Sequence, residues 1–287
     1  MVRLKFSIEL NYDIDPPGCD FIFSLHAAKT RHQTVVSESL GISQNLLPHL
    51  STDPVTATRI LRLEAFAGPL TVRYDATVDI NHYTAAPEQI GEVAVANLPE
   101  SVLPYIYPSR YCQSDRLHRL AVKEFGHLRQ GYERVQAIRD WVMHRVAFRS
   151  NSSTGNTSAV DTLLDEVGVC RDFAHLMIAL CRAVNIPARF VTGIDYGADP
   201  GLGPTDFHAY VEAYLGDRWY LFDPSGVAIP MGFVRFATGR DAADTAFATI
   251  FGGVRGSAPV MHIEAIPDAQ GTLVVPQHVP YALSTDG

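Results

Sequence analysis

Cysteine, tryptophan and concentrated charge are all scarce in this chain. Four cysteines (Cys19, Cys112, Cys170 and Cys181) are spread over 287 residues, too thinly for a disulfide framework, and no CxxC pair is present. Basic residues are scattered, and the net charge of −8 makes the chain a poor candidate for nonspecific binding to nucleic acid. No apolar run approaches the roughly 18 residues needed to span a bilayer. Met1 to Leu10 mixes Arg3, Lys5 and Glu9 into an alternating pattern, with no apolar h-region or cleavage site, so no signal peptide is read. No Asp-rich calcium loop of the EF-hand type is visible. These absences favour a cytoplasmic protein with neither nucleic acid nor membrane as its partner. A reducing cytoplasm would also keep a reactive thiol available.

What is present is enough apolar sequence for a sizeable core and a length that suggests about two domains. The first, residues 1–95, reads as β. Leu4 to Leu10, Phe21 to Leu25, Arg59 to Phe66 and Leu70 to Ile80 alternate with period two. Asp15-Pro16-Pro17-Gly18 and Ala67-Gly68-Pro69 supply turn punctuation. Short antiparallel strands at this spacing predict a β-sandwich-like domain. Nothing in it looks chemical, although it could recruit a protein partner.

Residues 84–112 are proline-rich and mark the junction. Beyond them, in residues 96–287, the period changes to 3.6. Leu117, Leu120, Ala121 and Phe125 belong to one helix. Val135, Ile138, Trp141 and Val142 belong to a second, with Gly131 between them and Trp141 on the apolar face. A polar loop, 150–158, precedes a short helix over 161–167 that Gly168 closes. Phe173, Met177, Leu180 and Val184 then share one face of a helix, widened by Ala174, Ile178 and Cys181, so this helix is mostly buried. Arg189 to Thr192, His208 to Tyr214 and Arg218 to Phe222 are strand material, the last two joined across Leu215-Gly216-Asp217. Helices before an antiparallel sheet make this domain α+β.

Cys170 falls at the first turn of the buried helix, where unpaired N–H groups and the helix dipole favour a thiolate and can hold a developing oxyanion. A thiol nucleophile also needs a base and a group to orient that base. His208 and Asp223 lie near the ends of two strands of one hairpin, seven residues before Leu215 and six after Asp217, which is close to cross-strand register. Bland readings cover most of the neighbours. Cys181, Cys19 and Cys112 read as small buried hydrophobes, and His175, inside the helix, as a packing or hydrogen-bonding residue. A metal site from Cys170, His175 and His208 lacks paired ligands at tight spacing.

The blocks Gly168-Val169-Cys170-Arg171-Asp172-Phe173-Ala174, Asn185 to Gly193, Phe207 to Tyr214 and Arg218 to Ser225 resemble the core of the transglutaminase-like superfamily. They are most similar to bacterial members often described as cysteine proteases. Leu103 to Asp115 and Gly239 to Asp244 extend the resemblance, which covers residues of about 100–262. It implies a papain-like α+β core with Cys170 as nucleophile, His208 as general base and Asp223 as its orienter. The activity implied is acyl transfer on peptide or peptide-like amides through a thioester, without metal or organic cofactor. Hydrolysis is favoured over transamidation or removal of a glycan from a peptide amide. Superfamily members that lost the triad act instead as binding modules.

Three further residues are candidates beside the triad. Tyr111, or the 150–158 loop, could supply the second oxyanion donor. Asp172 could bond loop backbone near the helix start or pair with Arg189. Tyr210, standing where many relatives carry Trp, should pack beside the site. Arg240, Asp241 and Asp244 read either as a buried ion-pair knot or as a contact to one end of the substrate.

Overall fold

A computed structural model of the chain describes residues 1–197, 201 and 205–286. The first part contains β1 (Val2–Phe23), β2 (Gln33–Ile42), β3 (His49–Thr52), β4 (Arg59–Ile80) and β5 (Tyr83–Ala85). The punctuation read as turns makes bends instead. β1 and β4 are each 22 residues long and pair antiparallel along almost their whole length, with a register shift between Ile14 and Gly18. Gly18 sits at φ +135°, and a Cβ there would lie 2.6 Å from the Ala65 carbonyl oxygen, so only glycine suits the bend. The bend folds one sheet over its own apolar face. Tyr12 and Phe21, nine positions apart on one strand, have ring centroids only 5.1 Å apart. The sandwich-like core is therefore enclosed by two halves of a single folded sheet.

The second part begins with α1 (Ser114–Phe125), α2 (Tyr132–Arg145), β6 (Ala147–Phe148), α3 (Ala159–Asp165), β7 (Val167–Gly168) and α4 (Cys170–Ala183). The helix expected over 161–167 starts and stops two residues earlier, because Glu166 adopts a left-handed conformation that closes it and frees Gly168 for β7. After α4 come β8 (Ala188–Asp195), β9 (His208–Leu215), β10 (Arg218–Phe222) and β11 (Phe233–Gly239), ordered β10-β9-β8-β11 in an antiparallel sheet. Arg218 pairs with Leu215, and Gly216 and Asp217 both have positive φ, as a two-residue hairpin loop of this hand requires.

α4 is buried from Asp172 to Ala183. Ala209, Val211, Ala213 and Leu215 on one face of β9 join its core, while Tyr210 turns to the opposite face with Val191, Leu221 and Phe233. Period-two alternation along β9 thus separates the side packed on α4 from the side that faces Val191, Leu221 and Phe233.

The C-terminal extension crosses back to the first part. β12 (Ala248–Phe251), β13 (Val254–Gly256) and β14 (Val260–Ala265) all pair with β1, and β15 (Ala282–Ser284) pairs with β5. Among the described residues no helix is long and apolar enough to cross a membrane.

Candidate active site

The start of α4 is built around one carboxylate. Asp172, fully buried, accepts the Val169 N–H at 2.8 Å and the Ser153 hydroxyl at 2.9 Å. Arg171 reaches the same loop, donating to Ser153 Oγ at 2.6 Å. The 150–158 segment is thereby tied to the helix N-terminus where Cys170 stands. Cys170 is partly exposed, unlike the other three cysteines, which are buried. Burial pushes the Cys112 and Cys181 thiols up to about 12, which keeps both protonated and inert at neutral pH.

His208 opens β9 opposite Gly193 of β8 and is 6% exposed. Its Nε2 lies 3.5 Å from Asp223 Oδ1. Asp223 stands one residue past the last hairpin pair, Phe222 with Val211, so the near cross-strand register read from the sequence gives way to a turn. That turn fixes the carboxylate. Oδ1 accepts the Ser225 N–H at 3.0 Å and the Ser225 hydroxyl at 2.6 Å, and Oδ2 accepts the Ala228 N–H at 3.0 Å. Burial alone would lower the His208 pKa. Hydrogen bonding to Asp223 and to the Cys170 thiol, with the charges of both, outweighs burial and holds the imidazole well above its ordinary value. Burial likewise works to raise Asp223. The hydrogen bond and charge of His208, with the Ser225 and Ala228 donors, overcome it and hold this carboxyl below its usual range.

Tyr210, two residues along the same face, stacks on Phe233 at 4.1 Å, and the same Phe233 ring lies under His208 at 5.3 Å. The aromatic packing expected at this position is therefore present, shared through Phe233. Tyr111 donates its hydroxyl to the Gly155 carbonyl at 2.7 Å and stacks on His175 at 4.9 Å. His175 Nε2 accepts the Ala242 N–H at 3.2 Å, and burial holds this imidazole well below its ordinary value, hence neutral.

These contacts bear on two alternatives left open in the sequence. Asp172 bonds loop and helix-start groups, whereas Arg189 is spoken for by Glu212, at 2.6 Å, and by Asp286. The 239–244 block is not a buried ion-pair knot. Arg240 and Asp244 pair at 2.9 Å with side chains 54% and 31% exposed. Buried Asp241 instead accepts the Tyr111 and Ala243 N–H groups, and buried Arg182 holds the Arg240 carbonyl.

Sequence reasoning missed Asp195, which ends β8 and places Oδ1 3.7 Å from His208 Nδ1. The signal was a lone Asp closing an otherwise apolar strand, Phe190 to Asp195. Phe233 and Ser225 were missed as well: Phe233 reaches His208 only through the pairing of β11 with β8, and Ser225 reaches Asp223 through a local turn whose side-chain bonds no periodicity signals. Among the described residues no group of three or more His, Cys, Asp or Glu could hold a metal ion.

Comparison with known proteins bears on this geometry. The pattern described as "Transglutaminase-like superfamily" matches residues 120–224, and that described as "Bacterial transglutaminase, N-terminal domain" matches residues 2–101. The crystal structure of "a Putative Cysteine Protease from Cytophaga hutchinsonii" is 37% identical, with a TM-score of 0.90 covering 99% of this chain and 97% of that one. An uncharacterized protein of Mycobacterium leprae is 32% identical over 117 residues, which span 39% of this chain and 42% of that relative. An uncharacterized protein of Mycobacterium tuberculosis is 26% identical over 263 residues, covering 76% of this chain and 83% of that relative.

Proposed function

The chain belongs to the transglutaminase-like superfamily, and we propose that it is a cysteine-dependent hydrolase of peptide or peptide-like amides. The observation that carries this reading is His208, buried between Asp223 and the Cys170 thiol at the N-terminus of α4. The description of the Cytophaga hutchinsonii structure as "a Putative Cysteine Protease" supports the same reaction class.

The proposed reaction runs in two halves. Cys170 Sγ attacks the amide carbon while the thiol proton passes to His208. The carbonyl oxygen gains charge, and the first-turn N–H groups of α4 are positioned to receive it. The C–N bond then breaks, the amine leaves with the proton from His208, and a thioester remains. Water attacks the thioester, its proton goes to His208, and the thiol and a carboxylic acid are released. Asp223, itself locked by Ser225 and Ala228, keeps the imidazole in one orientation throughout.

The test is the pH dependence of Cys170 alkylation by iodoacetamide in wild type and His208→Ala. The reading expects fast alkylation well below pH 8 in wild type, and its loss in the variant. An ordinary thiol profile, or the same profile with and without His208, refutes it.

A further inference from the structure

Among the described residues, two carboxylates, not one, address the candidate base. Asp223 Oδ1 is 3.5 Å from His208 Nε2, and Asp195 Oδ1 is 3.7 Å from Nδ1, with both aspartates buried. The backbone builds this arrangement. Gly193 pairs with His208, and Asp195 lies two residues further along β8 on the same face. Gly193 has no room for a side chain beneath the Val234 carbonyl, so β8 and β11 approach closely here. Phe233, paired with Asp195 across those strands, is the ring beneath His208. Among the described residues, the groups facing the imidazole are therefore Cys170 from α4, Asp195 from β8 and Asp223 beyond β10. β11 contributes an uncharged ring.

Each imidazole nitrogen offers one in-plane direction. Nε2 lies on the Asp223 side at 3.5 Å, so in this reading exchange with the Cys170 thiol falls to Nδ1, the nitrogen beside Asp195. We propose that Asp195 is a positioning residue that brackets His208 together with Asp223 and sets, through its charge, how Cys170 and His208 share their proton. The inference rests on reading Cys170 and His208 as nucleophile and base. A negative charge at this place favours the imidazolium and opposes the thiolate. It therefore moves the working range of the pair upward in pH without entering any bond-making step.

The experiment is the alkylation profile of Cys170 in the full chain for wild type, Asp195→Asn and Asp223→Asn. The lower inflection reports thiolate formation beside imidazolium, and the upper one reports loss of the imidazolium proton. Asp195→Asn is expected to move both to lower pH, by about one unit each. Asp223→Asn, acting on the far nitrogen, is expected to move the upper inflection more than the lower. A folded Asp195→Asn whose rates fall while both inflections stay put has lost only structure, and that result overturns the proposal. A wild-type Cys170 with no His208-dependent reactivity overturns both this inference and the functional reading beneath it. A second measurement needs no variant. In carbamidomethylated wild type, nitrogen-15 NMR of His208 should retain a hydrogen-bonded Nδ1–H at neutral pH, now held by Asp195. Disappearance of that proton counts against the bracket.

Discussion

Asp172 takes hydrogen bonds from the Val169 N–H and the Ser153 hydroxyl, so a single carboxylate sets both the first turn of α4 and the loop above it. Replacing it by Ala leaves those two part-buried donors without their acceptor. We expect Asp172→Ala to cost about 2 kcal/mol in chemical denaturation, in line with loss of a helix cap and of a charged acceptor. Cys170 alkylation should slow in parallel, since the thiol sits two residues away on the same turn. Arg240→Ala makes the contrast. Its partner Asp244 is also solvent-facing, and the Arg182 bond to residue 240 uses only the backbone carbonyl. The loss should stay within about 0.5 kcal/mol. A cost for Arg240→Ala as large as that of Asp172→Ala shows that the surface pair has been misjudged.

Among elements, β2 and β4 are joined by a polar contact at the sheet's edge. Glu38 of β2 receives both guanidinium arms of Arg59 and the Tyr74 hydroxyl, at 2.6, 2.9 and 2.8 Å. Burial works to raise the Glu38 pKa, but the Arg59 and Tyr74 bonds and the nearby cations prevail and bring it from 4.5 to about 2. A carboxyl whose folded value is depressed contributes stability that is present above its unfolded value. That contribution should be complete above pH 4.5 and should decline as pH falls toward 2. Glu38→Gln removes it, so the melting temperatures of variant and wild type should converge between pH 4.5 and 2; a constant gap across that window rules the contact out as the cause. The same elements show what local sequence can carry. The period-two runs in β1 and β4 were legible, and so was the punctuation at Pro16-Pro17-Gly18 and Gly68. Whether such punctuation reverses a strand or bends it depends on the partner strand, and here Gly68 lies opposite Ile14 and bends with it. Cys170, His208 and Asp223 were legible because each lies in a distinctive local block. Asp195 was not, because only the pairing of β8 with β9 brings it to His208.

At the scale of the whole molecule, the two parts share a core. Ile194 of β8 and Val234 and Phe236 of β11 belong to the same apolar cluster as Phe6, Ile8 and Tyr74 of the folded sheet. The Phe236 ring is 5.6 Å from Phe6 and 1% exposed. Polar contacts follow the same seam. Gln33 of β2 donates to the Arg235 carbonyl at 2.9 Å and accepts the Arg235 N–H at 2.9 Å, while Arg235 pairs with Asp286 at 3.0 Å. β12 to β14 add strands to β1 from the far end of the chain. The sheet that carries the candidate base on β9 is therefore buttressed through β8 and β11 by the first domain, and the folded sheet's core does not close without Ile194, Val234 and Phe236. Unfolding should be a single calorimetric transition, with loss of the native Cys170 alkylation rate at the same temperature. Phe236→Ala, which removes a buried ring at the seam for about 3–5 kcal/mol, should lower that one transition without dividing it. If the variant instead melts in two steps, with Cys170 still reacting as in the native protein after the first, the domains are energetically separate. The β-rich part would then be a neighbour of the site and not part of its support.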